Sequence, residues 1–179
     1  MVDLAARPVW LHRLLFVVLA LVVVFAKLLP LHSQAGDLPG PDILLCLIFA
    51  WTMRRPDYLP VLLVASVVLL EDLLLLRPPG LWAALVVIAS EFVRNRVALT
   101  RELNFGVEWL LVSGLMVGML LAYRTAFALF LLPQPNFGYA LVQVLWSIAC
   151  YPLVVFVSRY GLDLHKPAMG EIDAYGRRL

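Results

Sequence analysis

Long apolar runs broken by short polar turns set the pattern of this chain. The first run covers 10–31 and has an unbroken Leu/Val-rich centre from Leu14 to Ala26, with Lys27 near its far end. A lysine there can carry its ammonium to an interface along an apolar stem. Gly36, Pro39, Gly40 and Pro41 then mark a loop or a broken re-entrant turn. The second run, 38–53, is short: its apolar part after Pro41 reaches only about 18 Å as a helix, against a hydrocarbon core of roughly 30 Å. Arg54-Arg55-Pro56-Asp57 ends it sharply. The third run covers 57–76, with Pro60 in its first turn, where proline is tolerated. Arg77-Pro78-Pro79-Gly80 forms a tight turn before the fourth run, 79–95, and a basic cluster of Arg94, Arg96 and Arg101 follows. The fifth run, 105–132, is longer than one crossing needs, and Pro133-Gln134-Pro135-Asn136 stops it. The sixth, 137–158, contains Pro152, where a kink is expected. The pattern predicts an all-α polytopic membrane protein: a single domain over 1–160 with six transmembrane helices, the second short and irregular, and a polar cytoplasmic tail over 161–179.

The basic residues orient this arrangement. With six spans and the amino terminus inside, Arg7, Arg13, Arg54, Arg55, Arg94, Arg96, Arg101, Arg159, Lys166, Arg177 and Arg178 fall inside, 11 of the 14. Lys27, Arg77 and Arg124 fall outside. That follows the positive-inside rule. A five-span arrangement, in which the second run does not cross, places 10 of 14 inside, so both stay open, each with the carboxyl terminus inside.

Composition agrees. Hydrophobic residues are 63% of the 179, charged residues 15%, and the mean hydropathy is +0.93. A soluble domain of this size could not hide that much apolar surface. A basic or acidic binding tail, a disordered linker and a large catalytic domain outside the membrane are excluded. The net charge of +2 points to no nucleic-acid partner. Cys46 and Cys150 both lie in apolar runs and read as buried thiols. Residues 32–36 (HSQAG) resemble a signal-peptide cleavage site, but the later runs embed the protein whether or not cleavage occurs.

Polar groups at membrane depth are the candidate functional residues. Glu71 and Asp72 lie near the end of the third run, pointing about 100° apart, and could pair with Arg77 or Arg124. Glu91 and Arg94 are spaced for a helical ion pair. Gly114 and Gly118 form a small-xxx-small pair suited to close helix packing, within the chain first and between chains second. Trp10, Trp51, Trp82 and Trp109 sit near the ends of runs as interfacial anchors, and Trp146 sits deeper, as core packing. No His-Glu-x-x-His, Gly-x-Ser-x-Gly or phosphate-binding glycine loop occurs, and His12, His32 and His165 are dispersed, so no enzyme, metal or cofactor is expected.

Several short motifs then occur in order. They are Pro41-Asp42-Ile43-Leu44-Leu45, residues 51–60 (WTMRRPDYLP), a helix closing on Glu71-Asp72-Leu73, residues 77–81 (RPPGL) and residues 101–111 (RELNFGVEWLL). In order and spacing this resembles the rod shape-determining protein MreD family, over roughly residues 10 to 160. Pro79 stands where that family more often has Leu, and Glu71 is an extra charge. The resemblance implies a multi-pass protein of the bacterial inner membrane, non-enzymatic, serving cell shape and lateral peptidoglycan synthesis. Implied partners are MreC and, more widely, the RodA glycosyltransferase, the class-B transpeptidase PBP2, the MreB filament and membrane lipid. It also implies a fold like that of the substrate-binding membrane subunits of energy-coupling-factor transporters. By carry-over, Asp42, Pro56, Asp57, Pro60, Asp72 and Gly80 become structural or partner-binding positions, with Glu71 and Arg124 as neighbours to test. Two other functions remain in view: a substrate-binding subunit of a small-molecule transporter, and an enzyme on lipid-linked precursors, which would need Glu71, Asp72 and Arg124 to converge.

Overall fold

The computed structural model describes residues 6–29, 39–100, 104–131, 133–134 and 136–162. The loop at 32–38, Arg101 and the tail from 163 lie outside them. Among the described residues six helices follow one another: α1 (Ala6–Leu28), α2 (Ile43–Arg54), α3 (Val61–Leu74), α4 (Leu81–Thr100), α5 (Phe105–Leu129) and α6 (Phe137–Gly161), with one 3-10 turn at Pro56–Tyr58.

Local chemistry fixes the boundaries. The Asp42 carboxylate, just after Pro41, accepts the Leu45 N–H at 3.2 Å, capping the start of α2. At the other end Arg55 precedes Pro56, and the residue before a proline is disfavoured in helix. Pro56 opens the 3-10 turn, and Pro60 stands as the N-cap of α3. α3 stops where Leu76 takes a left-handed φ of 53°, and Gly80 turns the chain into α4 with φ 88°, a conformation only glycine adopts without strain. The same turn is held from within: Asp72 Oδ2 accepts the Gly80 and Ala83 N–H groups, each at 3.2 Å, so the last turn of α3 caps the first turn of α4.

α2 occupies the middle. Every residue from Leu44 to Arg54 is buried, as expected of a helix that is apolar on all sides. α6, α4 and α1 pack on it, while α3 packs on α4, α4 on α5, and α5 on α6. The core runs through Phe16 and Ala20 of α1, Phe49 and Trp51 of α2, Val64 of α3, Val93 of α4, Met116 of α5 and Tyr151 of α6.

The expectation of six transmembrane helices is corrected. Among the described residues only three helices are long and apolar enough to cross a membrane: α1 (over Val9–Leu28), α5 and α6. α2 and α3 rise only about 18 and 21 Å. α4 has the length, but Glu91, Arg94 and Arg96 interrupt its second half. A fold with six full crossings, like that of the transporter subunits, is therefore set aside. Apolar runs alone overstated the count because α2 is apolar through burial in protein rather than contact with lipid. The long apolar helices are consistent with a membrane-embedded protein, and their outward faces agree: Trp10, Leu14, Val22 and Phe25 of α1 and Leu110 and Leu121 of α5 are all exposed.

The tryptophans also differ from expectation. Trp51 is fully buried in the core, and Trp146 is exposed. α6 runs through Pro152 without a break. Pro152 has no N–H to give the carbonyl four residues back, that of Ile148. The Trp109 indole of α5 donates to that carbonyl instead, at 2.9 Å. What read as an interfacial anchor is thus a clamp between α5 and α6.

Candidate functional site

Two buried polar clusters and one pocket account for most of the polar side chains inside the bundle. The first cluster joins α1, α2, α3 and α6. Lys27 Nζ donates to Asp42 Oδ1 at 2.9 Å and to Glu71 Oε1 at 2.5 Å. The Asp42 N–H donates to Ser147 Oγ at 2.7 Å, and the Ser147 hydroxyl donates to the Gln143 carbonyl of its own helix. The Cys46 thiol donates to the Ser147 carbonyl at 3.3 Å. Asp42 and Glu71 are nearly inaccessible, so Lys27 is what makes their burial tolerable. Asp42 serves twice, as helix cap and as ion-pair partner.

The second cluster joins the far end of α2 to α5 and α6. Arg54 Nη1 donates to Glu108 Oε1 at 3.0 Å and to the Ala50 carbonyl, and Tyr151 Oη donates to Glu108 Oε1 at 2.9 Å. All three side chains are buried. Neither Glu108 nor Tyr151 stood out in the sequence. The signal that could have found them is positional: Glu108 opens an apolar helix at the end of the bundle where Arg54 closes another. Nearby, Arg13 donates to the Asp57 carbonyl at 3.0 Å, His12 stacks on Tyr58, and Arg94 donates to the Leu59 carbonyl while pairing with Glu91 at 2.9 Å.

The other expected positions fall as follows. Glu71 meets Lys27 rather than Arg77 or Arg124, and Asp72 is directed to the backbone of the α3–α4 turn, its Oδ1 buried without a hydrogen-bond partner. Arg124 donates to Gln134 Oε1 at 2.7 Å and lies over the Phe137 ring. Pro56, Asp57 and Pro60 form the link between α2 and α3, and Gly80 the link between α3 and α4. Gly114 and Gly118 are exposed, and a Cβ at either would meet nothing within 4 Å, so this pair does not pack inside the chain. Among the described residues no group of three His, Cys, Asp or Glu side chains is placed to hold a metal ion.

A pocket of about 250 Å³ opens between α5 and α6, with Asp42 and Leu45 at its base, Met116, Leu120 and Val144 along its walls and Arg77, Trp82, Tyr123, Arg124 and Tyr139 around it. Trp82 and Tyr123 meet edge to face at 5.5 Å.

Comparison of the chain with protein-family models, with curated proteins and with solved structures gave no match.

Proposed function

We propose that this chain is a non-enzymatic scaffold of the bacterial rod or elongation complex, a member of the MreD family that binds MreC in the inner membrane, its carboxyl terminus cytoplasmic. The reading rests on the ordered motifs at 41–45, 51–60, 71–73, 77–81 and 101–111. Its support from the architecture is the use those motifs are put to. Asp42, Asp72, Gly80, Pro56 and Pro60 all act at helix ends, capping or turning the chain. Their chemistry is spent on shape, as a scaffold requires, and the outward faces of α1, α5 and α6 stay apolar for lipid or a partner's membrane helix. The buried charges that meet, Lys27 with Asp42 and Glu71 and Arg54 with Glu108, are ions of opposite sign. RodA, the class-B transpeptidase and the MreB filament belong to the wider complex in this reading.

Depletion in a rod-shaped host tests the biological claim. Cells should round up and lose lateral wall insertion as the protein is lost, and a plasmid copy should restore rods. Rods persisting after clean deletion, with no paralogue to compensate, would refute it.

A further inference from the structure

The pocket exists because α2 is short. α2 begins at Asp42, whose N–H is bonded to Ser147, well inside α6. Beyond that level α5 and α6 continue with no central helix between them among the described residues. From Met116 to Arg124 on α5, and from Ser147 back to Tyr139 on α6, each wall rises about 12 Å. The space is mostly apolar along its walls, with Gln143 and Ser147 among them and Asp42 at the base, and basic and aromatic at its mouth.

The charges around it have a definite arrangement. Asp42, the carboxylate in the lining, is answered from within the bundle by Lys27. Arg77 forms no contact ion pair among the described residues; its charge acts at longer range on Asp42, Glu71 and Asp72, and its guanidinium lies 5.9 Å over the Trp82 ring. Arg124 joins it in the lining from α5. Arg124 also donates to Gln134 Oε1, and a guanidinium carries five N–H donors, so two guanidinium groups on separate elements still suit a phosphate. The Trp82, Tyr123 and Tyr139 side chains at the same level are the residue types that settle at headgroup depth. An apolar slot under a basic, aromatic rim fits a phosphate that carries a hydrocarbon chain better than one that does not.

We propose that this pocket binds a single phospholipid, its phosphate between Arg77 and Arg124 and the start of an acyl chain between α5 and α6. The proposal stands apart from any protein partner, since the site is formed by one chain.

The test is native mass spectrometry of the purified full chain, stripped of lipid in mild detergent and titrated with phosphatidylglycerol. The wild type should retain one lipid. The Arg77→Gln/Arg124→Gln variant should bind it about tenfold more weakly or worse, the effect expected for losing charge-assisted hydrogen bonds. Arg159→Gln, on an exposed residue at the far end of α6, should bind as the wild type does. Ala140→Leu fills the slot from α6 without altering charge and should weaken binding likewise, which keeps the test valid if the double variant misfolds. Glycerol phosphate, the soluble source of the same chemistry, should not displace the lipid at equal concentration. Undiminished lipid retention by Ala140→Leu, or displacement by equimolar glycerol phosphate, would overturn the proposal.

Discussion

Lys27 carries more of the structure than its place near the end of an apolar run suggests. It touches two carboxylates that have almost no access to water. Lys27→Met keeps the length and apolar stem but strands Asp42 and Glu71. The cost expected for breaking a buried ion cluster from one side is about 3–5 kcal/mol, and it should appear as a large fall in thermal midpoint in detergent. An unchanged midpoint would mean the cluster is solvated in solution. Glu108→Gln makes the same point at the other end. It leaves the Arg54 guanidinium facing a neutral amide, and a loss of similar size is expected, whereas Tyr151→Phe removes one hydrogen bond from Glu108 and should cost only about 1 kcal/mol. The sequence made Glu71 and Asp72 legible as costly charges at depth, because isolated polar residues in apolar runs are visible without a structure; Lys27 read as reaching an interface, and Asp42 only as a motif position. It did not make their partners legible. Lys27 and Glu71 are 44 positions apart, and no local spacing rule joins them.

At the scale of helices, the boundaries were the readable part. Asp42 after Pro41, Arg55 before Pro56 and Gly80 after a double proline each act through local backbone chemistry, and each marks an observed end or turn. What each helix does in the bundle was not readable, since burial depends on neighbours. Trp109 illustrates this. Its role comes from Pro152, a residue on another helix whose missing N–H leaves the Ile148 carbonyl open. Trp109→Phe should therefore cost about 1 kcal/mol, the net contribution of one hydrogen bond. In a Pro152→Ala background, where residue 152 can donate within α6, the same change should cost markedly less. A double-mutant cycle with no coupling would refute the clamp. The glycine pair on α5 gives a complementary expectation. With open space around both Cβ positions, Gly114→Ala and Gly118→Ala should leave the isolated protein at least as stable, gaining up to about 1 kcal/mol each from helix propensity. A clear loss of stability in the purified monomer would show that this face is packed after all.

For the whole molecule, the 63% hydrophobic composition signals membrane residence but not the number of crossings. Apolar residues serve two solvents here, lipid around α1, α5 and α6 and protein around α2, and composition cannot tell them apart. The buried α2 explains both its own shortness and the pocket beside its start. It also explains why charges at depth are tolerated: each cluster ties an end of α2 to the longer helices around it. A bundle braced at both ends of its central helix, with apolar outer faces, is suited to holding other membrane proteins in place. The most direct test is affinity purification of the tagged full chain from native membranes of a rod-shaped host in gentle detergent, with the bound proteins identified. The scaffold account predicts MreC as a stoichiometric companion, retained by Tyr151→Phe. Recovery of folded protein without MreC or any other wall-elongation component would contradict it.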